Sequence, residues 1–145
     1  MEPRGDSLRI MLIDDNRDHA KILQWAFKRT GRNDEFTYFD DGASALTFLN
    51  DTVAEPTIRP DLIFLDLNLP RLDGREVLRL LKSQEHTKRI PVIVVSSSER
   101  EEDVRTAYEL GASNYLSKSS ILNNVDPVMK ALEEFGSGNP QITRA

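Results

Sequence analysis

Short apolar runs alternate with helical patterns along most of this chain, and this alternation constrains its fold more than any other feature. Four of the five runs are nearly continuous in hydrophobicity, which is typical of strands that are covered on both faces. We therefore expect these strands to lie at the centre of an α/β structure, with helices on either side. The runs cover residues 8–13, 36–39, 62–65, 92–95 and 115–116.

Five segments with helical spacing follow the five runs, because their apolar residues recur three and four positions apart. In the first segment, Trp25 and Phe27 are expected to cover the sheet. Strands that alternate with helices favour right-handed crossovers, so the predicted fold is a doubly wound parallel sheet of five strands with five helices. The last segment has an apolar face made of Val125, Val128, Met129 and Leu132.

Residues that favour helix ends support these boundaries. Ser98, with Glu101 three positions later, fits a capping box at the start of the fourth helix. Asp73 is its acidic analogue at the start of the third helix. Gly111 follows the fourth helical pattern, where a C-terminal cap belongs.

The length of 145 residues suits one domain, which we expect at residues 8–135 between flexible ends at 1–7 and 136–145. The chain has no cysteine, which excludes disulfides and thiolate metal sites and favours a cytoplasmic location. No apolar run approaches the ~18 residues of a membrane span. The 19 basic and 24 acidic residues give a net charge of −5, which opposes a nucleic-acid-binding function.

Polar residues follow the strands at their carboxyl ends, which is where parallel α/β sheets bind ligands. These residues would bring together three carboxylates, one ammonium and one hydroxyl, and the charged groups sum to −2. Such a cluster needs a cation, and its oxygen ligands favour Mg²⁺. An aspartate can also accept a phosphoryl group, whose oxygens the ion, the lysine and the hydroxyl would bind. The residues are Asp14, Asp15, Asp66, Ser96 and Lys118.

Four motifs in this order resemble the response-regulator receiver domain of two-component signalling, and the resemblance covers about residues 8–135. The resemblance implies a flavodoxin-like receiver fold with strand order 2-1-3-4-5. The motifs span residues 13–16, 66–74, 91–96 and 111–118.

The resemblance also implies a role for each residue of the cluster. Asp66 would be the phosphoacceptor and a Mg²⁺ ligand, and Asp15 would be the direct ligand of the ion. Asp14 would act on the ion largely through water, and Asn68 through its backbone carbonyl.

Three further residues would read out the phosphoryl group. Ser96 would hydrogen-bond it, Lys118 would contact it, and Tyr115 would turn inward as an aromatic switch when Ser96 moves. The chain departs from the family after the lysine, where Ser119 replaces the usual proline. The family's bond at this position is usually cis, and we expect a cis Lys118–Ser119 bond here despite its cost of ~2.5–4 kcal/mol.

The expected function is that of a stand-alone response regulator that takes a phosphoryl group from a sensor histidine kinase and assists its own phosphorylation and dephosphorylation. We expect it not to be an enzyme that turns over a substrate. It would signal by binding an unknown downstream protein. The chain also resembles small single-domain regulators of phytochrome-type kinases, several of which form homodimers. The resemblance lies in the loop before the third strand, in residues 66–70, 73–78 and 108–110, and in the Lys118-Ser119 pair.

Two alternatives remain open at this stage. One is a phosphatase with Asp66 as nucleophile, although Asn68 stands where such enzymes carry a general acid. The other is an unphosphorylated scaffold of pseudo-receiver type. Such a scaffold should have lost part of the acidic cluster or Lys118, and this chain retains them all.

Overall fold

The computed structural model describes residues 7–52, 55–124 and 126–136 and forms one doubly wound α/β layer structure. Its five parallel strands follow the order β2-β1-β3-β4-β5, so the predicted strand order is confirmed. Among the sequence predictions, Val125 and the terminal residues 1–6 and 137–145 lie outside the described residues. The strands are β1 (Arg9–Ile13), β2 (Glu35–Phe39), β3 (Leu62–Leu65), β4 (Val92–Ser96) and β5 (Asn114–Ser117).

The described residues contain six α-helices, one more than the sequence predicts. The additional helix is α5, a short segment that begins directly after β5. It forms because Ser117 caps it by accepting a hydrogen bond from the Ser120 amide at 3.3 Å, and because Ile121 is buried in the core. The helices are α1 (Arg17–Arg29), α2 (Gly42–Asp51), α3 (Gly74–Ser83), α4 (Glu101–Glu109), α5 (Lys118–Asn123) and α6 (Asp126–Gly136), with a 3₁₀ turn at Pro56–Ile58.

Helices cover both faces of the sheet, which explains the continuous hydrophobicity of the central strands. Met11 and Ile13 of β1 point to the face that packs against α2, α3 and α4. Ile10 and Leu12 point to the opposite face, which packs against α1, α5 and α6. None of the helices within the described ranges is long and apolar enough to cross a membrane.

The helix ends agree with the sequence at two positions and differ at one. Asp73 caps α3 by accepting a hydrogen bond from the Arg75 amide at 2.7 Å, and Gly111 adopts a φ of 108° after α4. The prediction that Ser98 caps α4 is wrong, because the capping position is Arg100, which makes no side-chain capping bond. Three acidic residues in the first turn of α4 stabilise its positive end instead.

The prediction for the first helix holds for Phe27 and fails for Trp25. Phe27 is buried and packs edge-on against Phe36 and Phe64. Trp25 is 58% exposed, and the Arg29 guanidinium carbon lies 4.6 Å from the centre of its ring. The two positions differ because residues two apart on a helix point to different faces.

Candidate functional site

Three carboxylates meet beyond the carboxyl ends of β1 and β3. Asp14, Asp15 and Asp66 each offer an oxygen, and these oxygens lie within 4.8 Å of one another. The two strands pair in parallel with Ile13 opposite Leu65, so the residues that follow them are neighbours. Asp66 is 3% exposed and Asp14 is 9% exposed, whereas Asp15 belongs to the exposed residues. The structure therefore brings together the acidic residues that the sequence singles out.

The Asp66 carboxylate is held by one hydrogen bond on each oxygen. Its Oδ1 accepts from the Asn68 amide at 3.0 Å, and its Oδ2 accepts from the Lys118 ammonium at 2.8 Å. Its own amide donates to the Ile13 carbonyl at 2.9 Å, which continues the sheet by one residue. Asn68 itself is exposed at the mouth of the site.

The buried Lys118 ammonium lies between two carboxylates. Its Nζ is 2.8 Å from Asp66 Oδ2 and 3.0 Å from Asp14 Oδ2. Burial lowers the pKa of Lys118, but the hydrogen bonds and charges of Asp66 and Asp14 outweigh burial and raise that pKa above its ordinary value. The lysine is therefore firmly cationic.

One ammonium does not balance the cluster. Burial raises the pKa of Asp14 above its ordinary value and the charge of Asp66 adds to this, although the Asn16 amide and Lys118 oppose it. When all three carboxylates are ionised, the ammonium of Lys118 leaves the cluster with a net charge of −2. Clustered carboxylate oxygens with too little positive charge fit a hard divalent cation.

The prediction of a cis Lys118–Ser119 bond is wrong. None of the described residues has a cis peptide bond, and Lys118 still contacts Asp66. The reason is that Lys118 is the first residue of α5. An ordinary helical backbone already directs its side chain into the acidic crevice formed by Asp14, Asp15 and Asp66. The cost of a cis bond before serine is thereby avoided.

Ser98 connects the two residues that the sequence assigns to the switch. Ser96 is fully buried, and its Oγ accepts from the Ser98 amide at 3.1 Å. Tyr115 is half-buried on β5, and its hydroxyl donates to the Ser98 carbonyl at 2.9 Å. The Ser98 hydroxyl donates in turn to Asp103 at 2.5 Å, and Arg75 donates to the same carboxylate at 3.1 Å.

Sequence reasoning missed two contributors to the site. Tyr38 of β2 donates its hydroxyl to the Asp14 carbonyl at 2.7 Å, and Asp103 binds Ser98 from α4. Neither carries a motif signal. The position of Tyr38 next to the acidic pair follows only from the register of β2 against β1, in which Tyr38 is opposite Leu12.

Comparisons with known proteins agree with the resemblance to receiver domains. The family model of the response regulator receiver domain matches residues 10–129. Response regulator Rcp1 of Synechocystis sp. is 39% identical over 127 residues, which cover 87% of this chain and 86% of Rcp1.

Two solved structures are similar over most of their length. The phosphorylated cyanobacterial phytochrome response regulator RcpA has a TM-score of 0.76 and 39% identity, over 89% of this chain and 93% of RcpA. The Mn²⁺-bound form of Rcp1 has a TM-score of 0.71 and 37% identity, over 90% and 92% of the two chains. With this fold, this site and the match to the family model, the chain belongs to the response regulator receiver domain family.

Proposed function

We propose that this protein accepts a phosphoryl group on Asp66 from the phosphohistidine of a sensor histidine kinase in a Mg²⁺-dependent reaction. The carrying observation is the buried Asp66 carboxylate, which Lys118 and the Asn68 amide hold beside Asp14 and Asp15. In the transfer, an Asp66 oxygen forms a bond to phosphorus while the bond between phosphorus and the histidine nitrogen breaks.

The residues of the crevice would have separate roles in this reaction. Asp14, Asp15, Asp66 and the backbone carbonyl of Asn68 would hold Mg²⁺, which when bound offsets the negative charge of the carboxylates and of the phosphoryl group. The Mn²⁺-bound form of Rcp1 supports a divalent ion. The Lys118 ammonium stands 2.8 Å from Asp66 and would bind a phosphoryl oxygen.

The partners and location follow from the same proposal. RcpA is a phytochrome response regulator, which supports a phytochrome-type kinase as the donor. We assign the protein to the cytoplasm because the chain has no cysteine, and we expect a homodimer because several of the small regulators it resembles form one. Output is phosphorylation-dependent binding of a downstream protein, not turnover of a substrate.

Incubation with Mg²⁺ and acetyl phosphate, followed by intact mass measurement, tests the proposal. We expect the wild type to gain one phosphoryl group and lose it slowly, and to gain none when EDTA removes Mg²⁺. The matched control is Asp66→Asn, which keeps the shape of the side chain and removes the nucleophile. A phosphate of equal stability on Asp66→Asn would contradict the assignment.

The same experiment separates the other candidates. Rapid release of phosphate over many turnovers would indicate a phosphatase with Asp66 as nucleophile. No uptake by the wild type would indicate a scaffold that acts without phosphorylation. Sedimentation of the phosphorylated and unphosphorylated protein tests the homodimer in the same samples.

A further inference from the structure

A tyrosine outside the receiver motifs contacts the turn that carries the acidic pair. The Tyr38 hydroxyl donates to the Asp14 backbone carbonyl at 2.7 Å. Its half-buried ring packs against the core face that α1 covers, and the Arg17 guanidinium carbon lies 5.3 Å from the ring centre.

This contact completes the hydrogen bonding of Asp14. The Asp14 amide donates to the Phe39 carbonyl at 3.1 Å, and the Asp14 carboxylate accepts from the Asn16 amide at 2.8 Å. The backbone carbonyl is the remaining polar group of this residue, and Tyr38 is its donor. The backbone of Asp14 is thus fastened to β2 at both its amide and its carbonyl.

The orientation of Asp15 depends on that carbonyl. The Asp14 carbonyl and the Asp15 amide belong to one rigid peptide plane, so a bond to the carbonyl fixes the direction from which Asp15 leaves the turn. The Asp15 side chain is exposed, and within the described part of the chain no hydrogen bond holds its carboxylate. Its place near Asp14 and Asp66 is therefore set by its backbone.

We propose that Tyr38 is a positioning residue for the divalent-cation site, and that its hydroxyl holds the Asp14–Asp15 peptide so that the Asp15 carboxylate faces Asp14 and Asp66. This inference rests on the proposed function of the site. Outer-shell hydrogen bonds of this kind raise metal affinity because they order the ligands before the ion arrives. Tyr38 does not touch Asp66, so it acts on ion binding and not on phosphoryl transfer itself.

The test compares Tyr38→Phe with Tyr108→Phe. Tyr38→Phe keeps the ring and its contact with Arg17 and removes only the hydroxyl. Tyr108 is an exposed tyrosine on α4 whose hydroxyl contacts Asn114, so its phenylalanine variant loses a matched hydroxyl away from the acidic turn. Two quantities are measured for each protein: the Mg²⁺ dissociation constant by calorimetry, and the rate of phosphorylation by acetyl phosphate across a Mg²⁺ series.

Tyr38→Phe should weaken Mg²⁺ binding by about three- to tenfold, the range expected for one lost hydrogen bond. Its phosphorylation rate should fall at low Mg²⁺ and return to the wild-type rate at saturating Mg²⁺. Tyr108→Phe should match the wild type throughout. A structural defect alone would not give this split between affinity and maximal rate.

Equal Mg²⁺ affinity in Tyr38→Phe and the wild type would overturn the inference. An equal loss of Mg²⁺ affinity in Tyr38→Phe and Tyr108→Phe would overturn it as well. Failure of the wild type to bind Mg²⁺ would overturn the proposed function itself. Should Tyr38→Phe fail to fold, the exchange rate of the Tyr38 hydroxyl proton, measured by NMR in the wild type, tests the inference instead. A slowly exchanging Tyr38 hydroxyl proton supports the inference, and a freely exchanging one overturns it.

Discussion

The charge balance of the acidic crevice is the main residue-scale feature of this protein. Three carboxylates lie beside the ammonium of Lys118, and burial, with the charge of Asp66 adding to it, raises the pKa of Asp14. A buried carboxylate with a raised pKa costs folding free energy when it ionises. The residues that would bind Mg²⁺ are therefore a source of instability whenever the ion is absent.

Asp14→Asn should raise the free energy of unfolding by about 1 kcal/mol in Mg²⁺-free buffer at neutral pH. The asparagine can still accept from the Asn16 amide and from Lys118, but it carries no charge. Urea denaturation in EDTA measures the effect. Asp40→Asn is the control, since it removes an exposed acid nearby.

The sign of the pH dependence follows from the raised pKa. Well below the ordinary value of 3.8, Asp14 is protonated in both states, so the variant should have no advantage. The advantage should appear as the pH rises above 3.8 and level off above the folded-state pKa. A loss of stability in Asp14→Asn at neutral pH would contradict this account.

The sequence could predict the crevice but not the residues that support it. Asp14, Asp66 and Lys118 converge because the carboxyl ends of parallel strands share one edge. Tyr38 could not be predicted, because its contact depends on strand register and on the reach of one side chain.

At the scale of elements, the start of α4 shows how tertiary contacts override a local pattern. Ser98 and Glu101 satisfy the capping-box spacing, yet Ser98 lies before the capping position and binds Asp103 instead. The sequence pattern predicts that the Ser98 hydroxyl caps α4. It instead joins the β4–α4 loop to α4 and, through Arg75, to α3.

Ser98→Ala should raise the pKa of Asp103 towards its ordinary value. The hydrogen bond from Ser98 is the largest cause of the lowered pKa of Asp103, and Arg75 adds to it. Carboxyl-detected NMR titration measures this pKa in the wild type and the variant. Ser97→Ala is the control because Ser97 is an exposed neighbour. An unchanged Asp103 pKa in Ser98→Ala would show that the hydroxyl does not hold this carboxylate in solution.

The start of α3 sets the path of the loop after Asp66. A Cβ on Gly74 would lie 2.3 Å from the Asp66 carbonyl oxygen and 2.5 Å from Leu67 Cα. These are backbone atoms that no side-chain rotation can move, so this position requires glycine.

Gly74→Ala should lower the free energy of unfolding by about 3 kcal/mol, which is the upper end of the usual cost of overpacking a core. It should also slow phosphorylation, because the Asp66 backbone must shift. The comparison is Gly31→Ala, where a Cβ meets nothing within 4 Å and only the positive φ of 85° is strained. That strain costs about 1–2 kcal/mol. Urea denaturation of both variants should separate them, and equal losses would contradict the close-approach argument.

At the scale of the whole molecule, the sheet order could be predicted and the sixth helix could not. The alternating runs predict a doubly wound parallel sheet, because few connections between strands and helices are allowed, and the receiver resemblance implies the strand order. The short α5 lacks a sustained periodic pattern and forms through the Ser117 cap and the burial of Ile121. That helix also delivers Lys118 without a cis bond.

A chain of hydrogen bonds joins Ser96, at the carboxyl end of β4, to the surface formed by α4 and β5. Buried Ser96 binds the Ser98 amide, Ser98 binds Asp103 of α4, and Tyr115 of β5 binds the Ser98 carbonyl. The proposed phosphorylation would take Asp66 from a charge of −1 to about −2. A Ser96 hydroxyl that moves to the new oxygens would leave the Ser98 amide, and the β4–α4 loop would have to rearrange.

Phosphorylation should therefore change amide hydrogen exchange in the β4–α4 loop, the first turn of α4 and β5, with little change in β1 and β2. Mass-spectrometric hydrogen exchange in Mg²⁺ with and without acetyl phosphate measures the change. Ser96→Ala should still take up a phosphoryl group on Asp66, but the exchange change should be largely lost because no hydroxyl moves. Ser96→Thr keeps the hydroxyl and should retain the change. An undiminished response in Ser96→Ala would show that the loop senses phosphorylation without Ser96, which leaves Lys118 and the start of α5 as the route to the surface.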